Sequence, residues 1–172
     1  MPTSDAEGKD WSLDRFLAVL PDTVTDIGPG LGTYAQLLRP HHRGHWTAIE
    51  IHRPYIDHYG LRLQYDEVHH LDAREAPDHL YDRDLVIAGD ILEHMPPEQA
   101  IALLYRIVQA GARHLLVSLP IIPAPQGEVD GNPWEAHMHD WTATDMDHVL
   151  TGLGGTVHSR HGHTLGCWWW SR

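Results

Sequence analysis

Thr23-Val24-Thr25-Asp26-Ile27-Gly28-Pro29-Gly30-Leu31-Gly32 is the stretch that decides how this chain folds. Residues 23–28 form a short β-rich run that stops at glycines placed at every second position, and TYAQLLRP, a helix candidate closed by Pro40, follows. Glycine at such a turn tolerates backbone angles that a side chain forbids and lets the main chain approach a ligand closely. In an open α/β sheet this happens at the carboxyl edge of the strands, where ligands bind.

Outward from that turn the chain alternates. Segment 11–20, WSLDRFLAVL, has helical spacing and ends at Pro21. Strands are expected at 45–51, 67–72, 84–90 and 114–120, with helices over 54–65 and 96–111, the last opened by two prolines and closed by Gly111. DLVIAGD at 84–90 is apolar enough for the middle of a sheet. A helix with Thr142 or Thr144 as N-cap and a terminal hairpin from GTVHSRH and TLGCWWWS complete the pattern. The expected class is α/β, a mostly parallel, Rossmann-like sheet with helices on both faces. Residues 121–141, IIPAPQGEVDGNPWEAHMHDW, interrupt the rhythm with prolines, glycines and two tryptophans, too long for an ordinary connection, and read as a substrate-covering loop.

Length and composition bound the rest. The 172 residues suit one domain spanning 1–172. With 24 acidic against 12 basic residues and a net charge of -12, the chain has no basic field to attract phosphate backbones, so nucleic acid is an unfavoured partner. The start, MPTSDAEGKDW, has no basic n-region followed by an apolar run, and no stretch approaches a membrane span, so a soluble cytoplasmic protein is expected. The single cysteine, Cys167, excludes an internal disulfide and reads as a packed thiol. Trp168, Trp169 and Trp170 would alternate faces on a strand and read as core.

Candidate binding residues cluster around the glycine turn. Gly28, Gly30 and Gly32 depart from the GxGxxG pyrophosphate spacing, and the acid Asp26 lies just ahead of them, which disfavours a nicotinamide-dependent oxidoreductase. Glu50 ends the second strand about 20 residues beyond the glycines, where a carboxylate can accept hydrogen bonds from both ribose hydroxyls. Asp72 ends the third strand and can accept from an adenine amino group, with Ile51 and Ala73 supplying apolar contact. Each carboxylate could instead be a solvated strand end.

Taken together these segments resemble the class I S-adenosylmethionine-dependent methyltransferase superfamily across nearly the whole chain. DIGPGLG looks like its first motif, Glu50 its ribose acid, LDA its adenine segment, and AGDILEHM, with Asp90, its fourth. DILEHM is similar to the segment of ubiquinone-biosynthesis and natural-product methyltransferases. NPWEAHMHDW resembles an Asn-Pro-aromatic-Glu-x-His segment of bacterial methyltransferase-like proteins. The resemblance implies a seven-stranded sheet of order 3-2-1-4-5-7-6, S-adenosylmethionine as cofactor, and methyl transfer to an oxygen or nitrogen of a small-molecule acceptor.

Methyl transfer needs an aligned acceptor and removal of its proton. Asp90, Glu93 and His94 follow the fourth strand, while His137 and His139 sit two apart in the long loop, so an extended backbone would point both the same way. His94, His137 and His139 are therefore candidate bases among the sixteen histidines, and Glu93, Trp134 and Trp141 candidate acceptor contacts. A divalent metal between these histidines and Asp90 or Glu93 is chemically possible, but there is no compact ligand motif and none is expected. A non-catalytic methyltransferase-like partner subunit and a protein or RNA methyltransferase stay open as alternatives.

Overall fold

The computed structural model describes residues 6–172; the reading of the extreme N-terminus falls partly on residues 1–5, outside the described residues. Thirteen regular elements follow the expected alternation: α1 (Lys9–Val19), β1 (Thr23–Ile27), α2 (Thr33–Leu38), β2 (His45–Glu50), α3 (Arg53–His58), α4 (Leu61–Gln64), β3 (Glu67–His70), β4 (Leu85–Gly89), α5 (Pro97–Ala110), β5 (His114–Pro120), α6 (Ala143–Gly152), β6 (Thr156–His161) and β7 (Leu165–Ser171). The strands form one sheet of order β3-β2-β1-β4-β5-β7-β6. Pairings from β3 through β5 are parallel, and β7 runs antiparallel to both β5 and β6.

The period-2 alternation of strand side chains divides the core in two. Val24, Leu85, Ile87, Leu116 and Trp169 point to the face covered by Phe16 of α1, Leu38 of α2, Ile56 of α3 and Leu61 of α4. Val86, Ala88, Leu115, Val117, Trp168 and Trp170 point to the other, under Leu104 and Ile107 of α5 and Leu150 of α6. The tryptophan run is thus core on both faces. Strands buried on both sides explain why β4 reads as an uninterrupted apolar run.

Local chemistry sets the ends. In α5, Ala100, Leu103, Leu104 and Ile107 make one buried stripe, with Pro97 in the first turn and Gly111 closing the helix at φ 128°. Thr142, rather than Thr144, caps α6, in a reciprocal capping box with Asp145. The helix expected over 54–65 is instead two short ones, because Gly60 takes φ 60° between α3 and α4. At the turn between β6 and β7 the Glu7 carboxylate accepts from the backbone amides of His163, Thr164 and Leu165, which lowers its pKa to about 2. Among the described residues no helix is long and apolar enough to cross a membrane.

Candidate active site

Where β1 ends, Gly28 and Gly30 both lie in the left-handed region, at φ 60° and 56°. A Cβ on Gly28 would come within 2.6 Å of Ile91 Cγ2, so this position requires glycine on both conformational and packing grounds. These glycines line a cavity of about 460 Å³ at the carboxyl ends of β1, β2 and β4, a size typical of small-molecule sites. Asp26, Glu50, Ile51, Asp72, Ala73, Asp90, Glu93, His94, Trp134 and His137 line the same space. Residues as far apart in the chain as Asp26 and His137 thus meet, because parallel strands deliver their carboxyl ends to one edge.

Three sequence candidates lie elsewhere. Gly32, at φ 87°, caps α2, and a Cβ there would meet the Gln64 side chain, so its glycine serves packing away from the cavity. Trp141, expected to wall the acceptor, is only 3% exposed and belongs to the core. Its indole N–H donates to the Leu92 carbonyl at 3.3 Å, giving the ring both an apolar bed and a polar partner. His139 packs edge-on against Trp141, ring centroids 4.7 Å apart, instead of sharing the cavity with His137. The expected same-side pair requires a straight extended backbone; here the amides of Met138 and His139 both turn onto the Glu93 carbonyl, at 2.7 and 3.2 Å.

The carboxylates differ in environment. Glu50 Oε1 accepts from the His52 amide at 2.7 Å, and the Gly30 amide also donates to this carboxylate; burial nevertheless pushes its pKa up to about 7. Burial likewise pushes Asp26 up to about 7, against the Tyr65 hydroxyl that donates to it at 2.6 Å. Asp72 is also raised by its partial burial, but the Arg74 guanidinium, donating from Nε to both its oxygens at 2.9 and 3.0 Å, wins and holds it below the usual range. Asp90 adopts φ 54°, an uncommon angle for a non-glycine residue, and strain of this kind concentrates at functional edges. Its carboxylate takes the Ser118 hydroxyl at 3.0 Å, and Lys9 Nζ lies 3.7 Å away.

Burial first, and the nearby Asp90 charge second, push Glu93 well above the normal carboxylate range; the side chain is 3% exposed and its Oε2 has no hydrogen-bond partner among the described residues. Next to it, His94 and His137 meet edge to face with ring centroids 4.8 Å apart. Burial and the neighbouring His137 lower the His94 pKa, favouring neutral imidazole. Trp134 is 45% exposed and lies at the cavity rim, with the Arg74 guanidinium 5.8 Å from its ring.

Several lining or supporting groups escaped sequence reasoning. Lys9, the only lysine, donates to the Tyr34 hydroxyl at 3.0 Å beside Asp90; nothing near it in sequence signals that partnership. Asn132 and Glu135, buried members of the long loop, and Tyr55 of α3 also line the cavity. The Asn-Pro-Trp-Glu spacing was a usable signal for the first two, since Asn132 caps its own turn by accepting from the Trp134 amide at 3.1 Å.

Glu50 and Asp26 hold their protons more tightly in the folded chain than in the unfolded one. Their contribution to stability is therefore complete at acid pH, below their unfolded values, and is lost as pH rises through about 7. Glu50→Gln, which cannot ionise, is expected to melt above the parent at pH 8, with the gap closing by pH 4. Thermal melts at the two pH values check this; a gap that does not depend on pH contradicts it.

A family model described as a methyltransferase domain matches residues 25–116, just over half of the chain. No curated protein matches the sequence. Among solved structures, the N-terminal domain of EvdMO1 with SAH bound superposes at a TM-score of 0.70 and 12% identity, over 98% of this chain and 83% of that one. Magnesium protoporphyrin IX methyltransferase from Synechocystis PCC 6803 with bound SAM gives 0.67 at 17% identity, over 96% and 80%. The small RNA methyltransferase HEN1 gives 0.74 at 14% identity, over 100% of this chain but 26% of that one. At such identities the likeness is one of fold. Family rests on the sequence match, which runs from the glycine turn through the fourth-strand segment to β5: the chain belongs to the methyltransferase-domain family and is an enzyme of that kind.

Proposed function

We propose that the chain transfers a methyl group from S-adenosylmethionine to an oxygen or nitrogen of a small molecule held beneath residues 121–141. The observation that carries this reading is that one cavity is shared by two sets of residues. Gly28, Gly30 and Glu50 form one wall, and Trp134, Glu135 and His137 of the long loop form another.

The first wall fits a nucleoside. The left-handed glycines expose backbone where a side chain would intrude, and Glu50, fixed by the His52 and Gly30 amides, has oxygen lone pairs left for ribose hydroxyls. Ile51 and Ala73 offer apolar contact to an adenine ring beside Asp72, whose orientation Arg74 fixes. When bound, S-adenosylmethionine supplies a methyl group already activated by its sulfonium. The protein's own work is then to orient the acceptor, exclude water and take up the acceptor's proton. Trp134 covers the acceptor, and proton removal falls to the end of the cavity where Glu93, His94 and His137 meet. The net charge of -12 favours a small molecule over RNA.

To test the acceptor class, the enzyme is incubated with methyl-labelled S-adenosylmethionine and a cell extract separated into small-molecule, RNA and protein fractions. Label is expected in the small-molecule fraction and to depend on His137. Label confined to RNA or to protein, or absent from all three fractions, overturns the small-molecule reading.

A further inference from the structure

We propose that Glu93, His94 and His137 form a binding site for one divalent first-row transition-metal ion at the acceptor end of the cavity. One ligand atom from each of the three lies within 4.8 Å of the others, close enough for a single cation to be reached by all three after small side-chain adjustments. Two imidazoles and one carboxylate are a donor set that suits divalent transition ions and leaves coordination positions open.

A second, independent observation points to a ligand. Glu93 Oε2 is fully buried, faces no hydrogen-bond donor among the described residues, and belongs to a residue that lines the cavity. Leaving such an oxygen unpartnered is costly, and a cation held between Glu93, His94 and His137 would satisfy it once the carboxylate turns toward the two imidazoles. His94 is also oriented as ligands commonly are. Its Nδ1 lies 3.3 Å from the Ala136 carbonyl, and donation of Nδ1–H to that oxygen leaves the Nε2 lone pair free. The Glu93 carbonyl, by accepting the Met138 and His139 amides, ties the His137 segment to the Glu93–His94 turn and so keeps the backbones that carry all three donors side by side.

The consequence for catalysis rests on the proposed methyl transfer, although metal binding itself does not. With a cation bound, the imidazole lone pairs are committed to it, and an acceptor oxygen at an open position loses its proton more readily through Lewis-acid polarisation. The acidified hydroxyl then releases its proton to water, and the histidines serve as ligands rather than as the base.

The test is calorimetric titration of the chelator-treated, desalted chain with Co²⁺, alongside visible absorption of the bound ion. One equivalent is expected to bind with a ligand-field spectrum, and Glu93→Gln and His137→Ala are each expected to weaken it at least tenfold. His137 is only partly buried, so its variant carries the test should Glu93→Gln fail to fold. No saturable binding, or binding unchanged in the folded variants and hence due to other histidines, overturns the site. S-adenosylmethionine is titrated into the same metal-free samples. Retained cofactor binding without Co²⁺ binding sinks the metal site alone, whereas lost cofactor binding strikes at the proposed function.

Discussion

Replacing residues 127–136 with a short glycine–serine link is expected to lower methyl transfer by about 100-fold or more while leaving S-adenosylmethionine affinity within about tenfold. The excision is a mild one for the fold. The His137 amide donates to the Gln126 carbonyl at 2.9 Å, so the two ends of the removed segment already touch, and a shorter closure carries little entropic penalty. Trp141, the residue of this region that is built into the core, stays in place. What disappears is Trp134 at the rim, together with Asn132 and Glu135 on the inner wall and the Ala136 carbonyl 3.3 Å from His94 Nδ1. An acceptor freed from that roof samples many orientations, and misplacement of about 1 Å is enough to cost two orders of magnitude in rate. Single-turnover transfer and cofactor titration on the same protein separate the outcomes. Intact transfer places the acceptor elsewhere, and loss of folding makes the segment part of the core.

Glu50→Ala is expected to weaken S-adenosylmethionine binding by about 1.5–3 kcal/mol, or roughly 10- to 150-fold, through lost hydrogen bonds to a charged acceptor. Its pH behaviour gives a second readout. In the free enzyme Glu50 titrates near 7, and ribose hydroxyls donate to the ionised form, so affinity should be full above that pH and fall below it. For this one group the slope approaches tenfold per pH unit, and it should flatten in Glu50→Ala. Calorimetry at pH 6 and pH 8 measures both. Parent-like affinity in the folded variant makes Glu50 a buried carboxylate without a ligand role.

How much of this was legible in the sequence follows from which signals are local. The strand alternation, the glycine turn and the acid ending β2 are short-range patterns, and each lands where it was expected because a parallel sheet converts chain order into spatial order. Side-chain direction within residues 121–141 was not legible. Trp134 and Trp141 are alike in type and setting, yet one lies at the cavity rim and the other beneath Leu92, and no periodicity in an irregular segment tells them apart. His137 and His139 separated for the same reason. Lys9 was invisible because its partners, Tyr34, Asp90 and Ser118, come from three distant segments that only the packed sheet brings together. The break at Gly60 was a weaker failure, since an isolated glycine inside a helical pattern is a recognised point of interruption.

Titration of the purified chain with S-adenosylmethionine and, separately, with NAD decides which nucleoside the glycine turn cradles. Left-handed Gly28 and Gly30 beside a fixed Glu50 predict saturable binding of S-adenosylmethionine in the micromolar range, about -8 kcal/mol, unaffected by added NAD. Tight NAD binding with no response to S-adenosylmethionine would make the glycine turn a dinucleotide site instead.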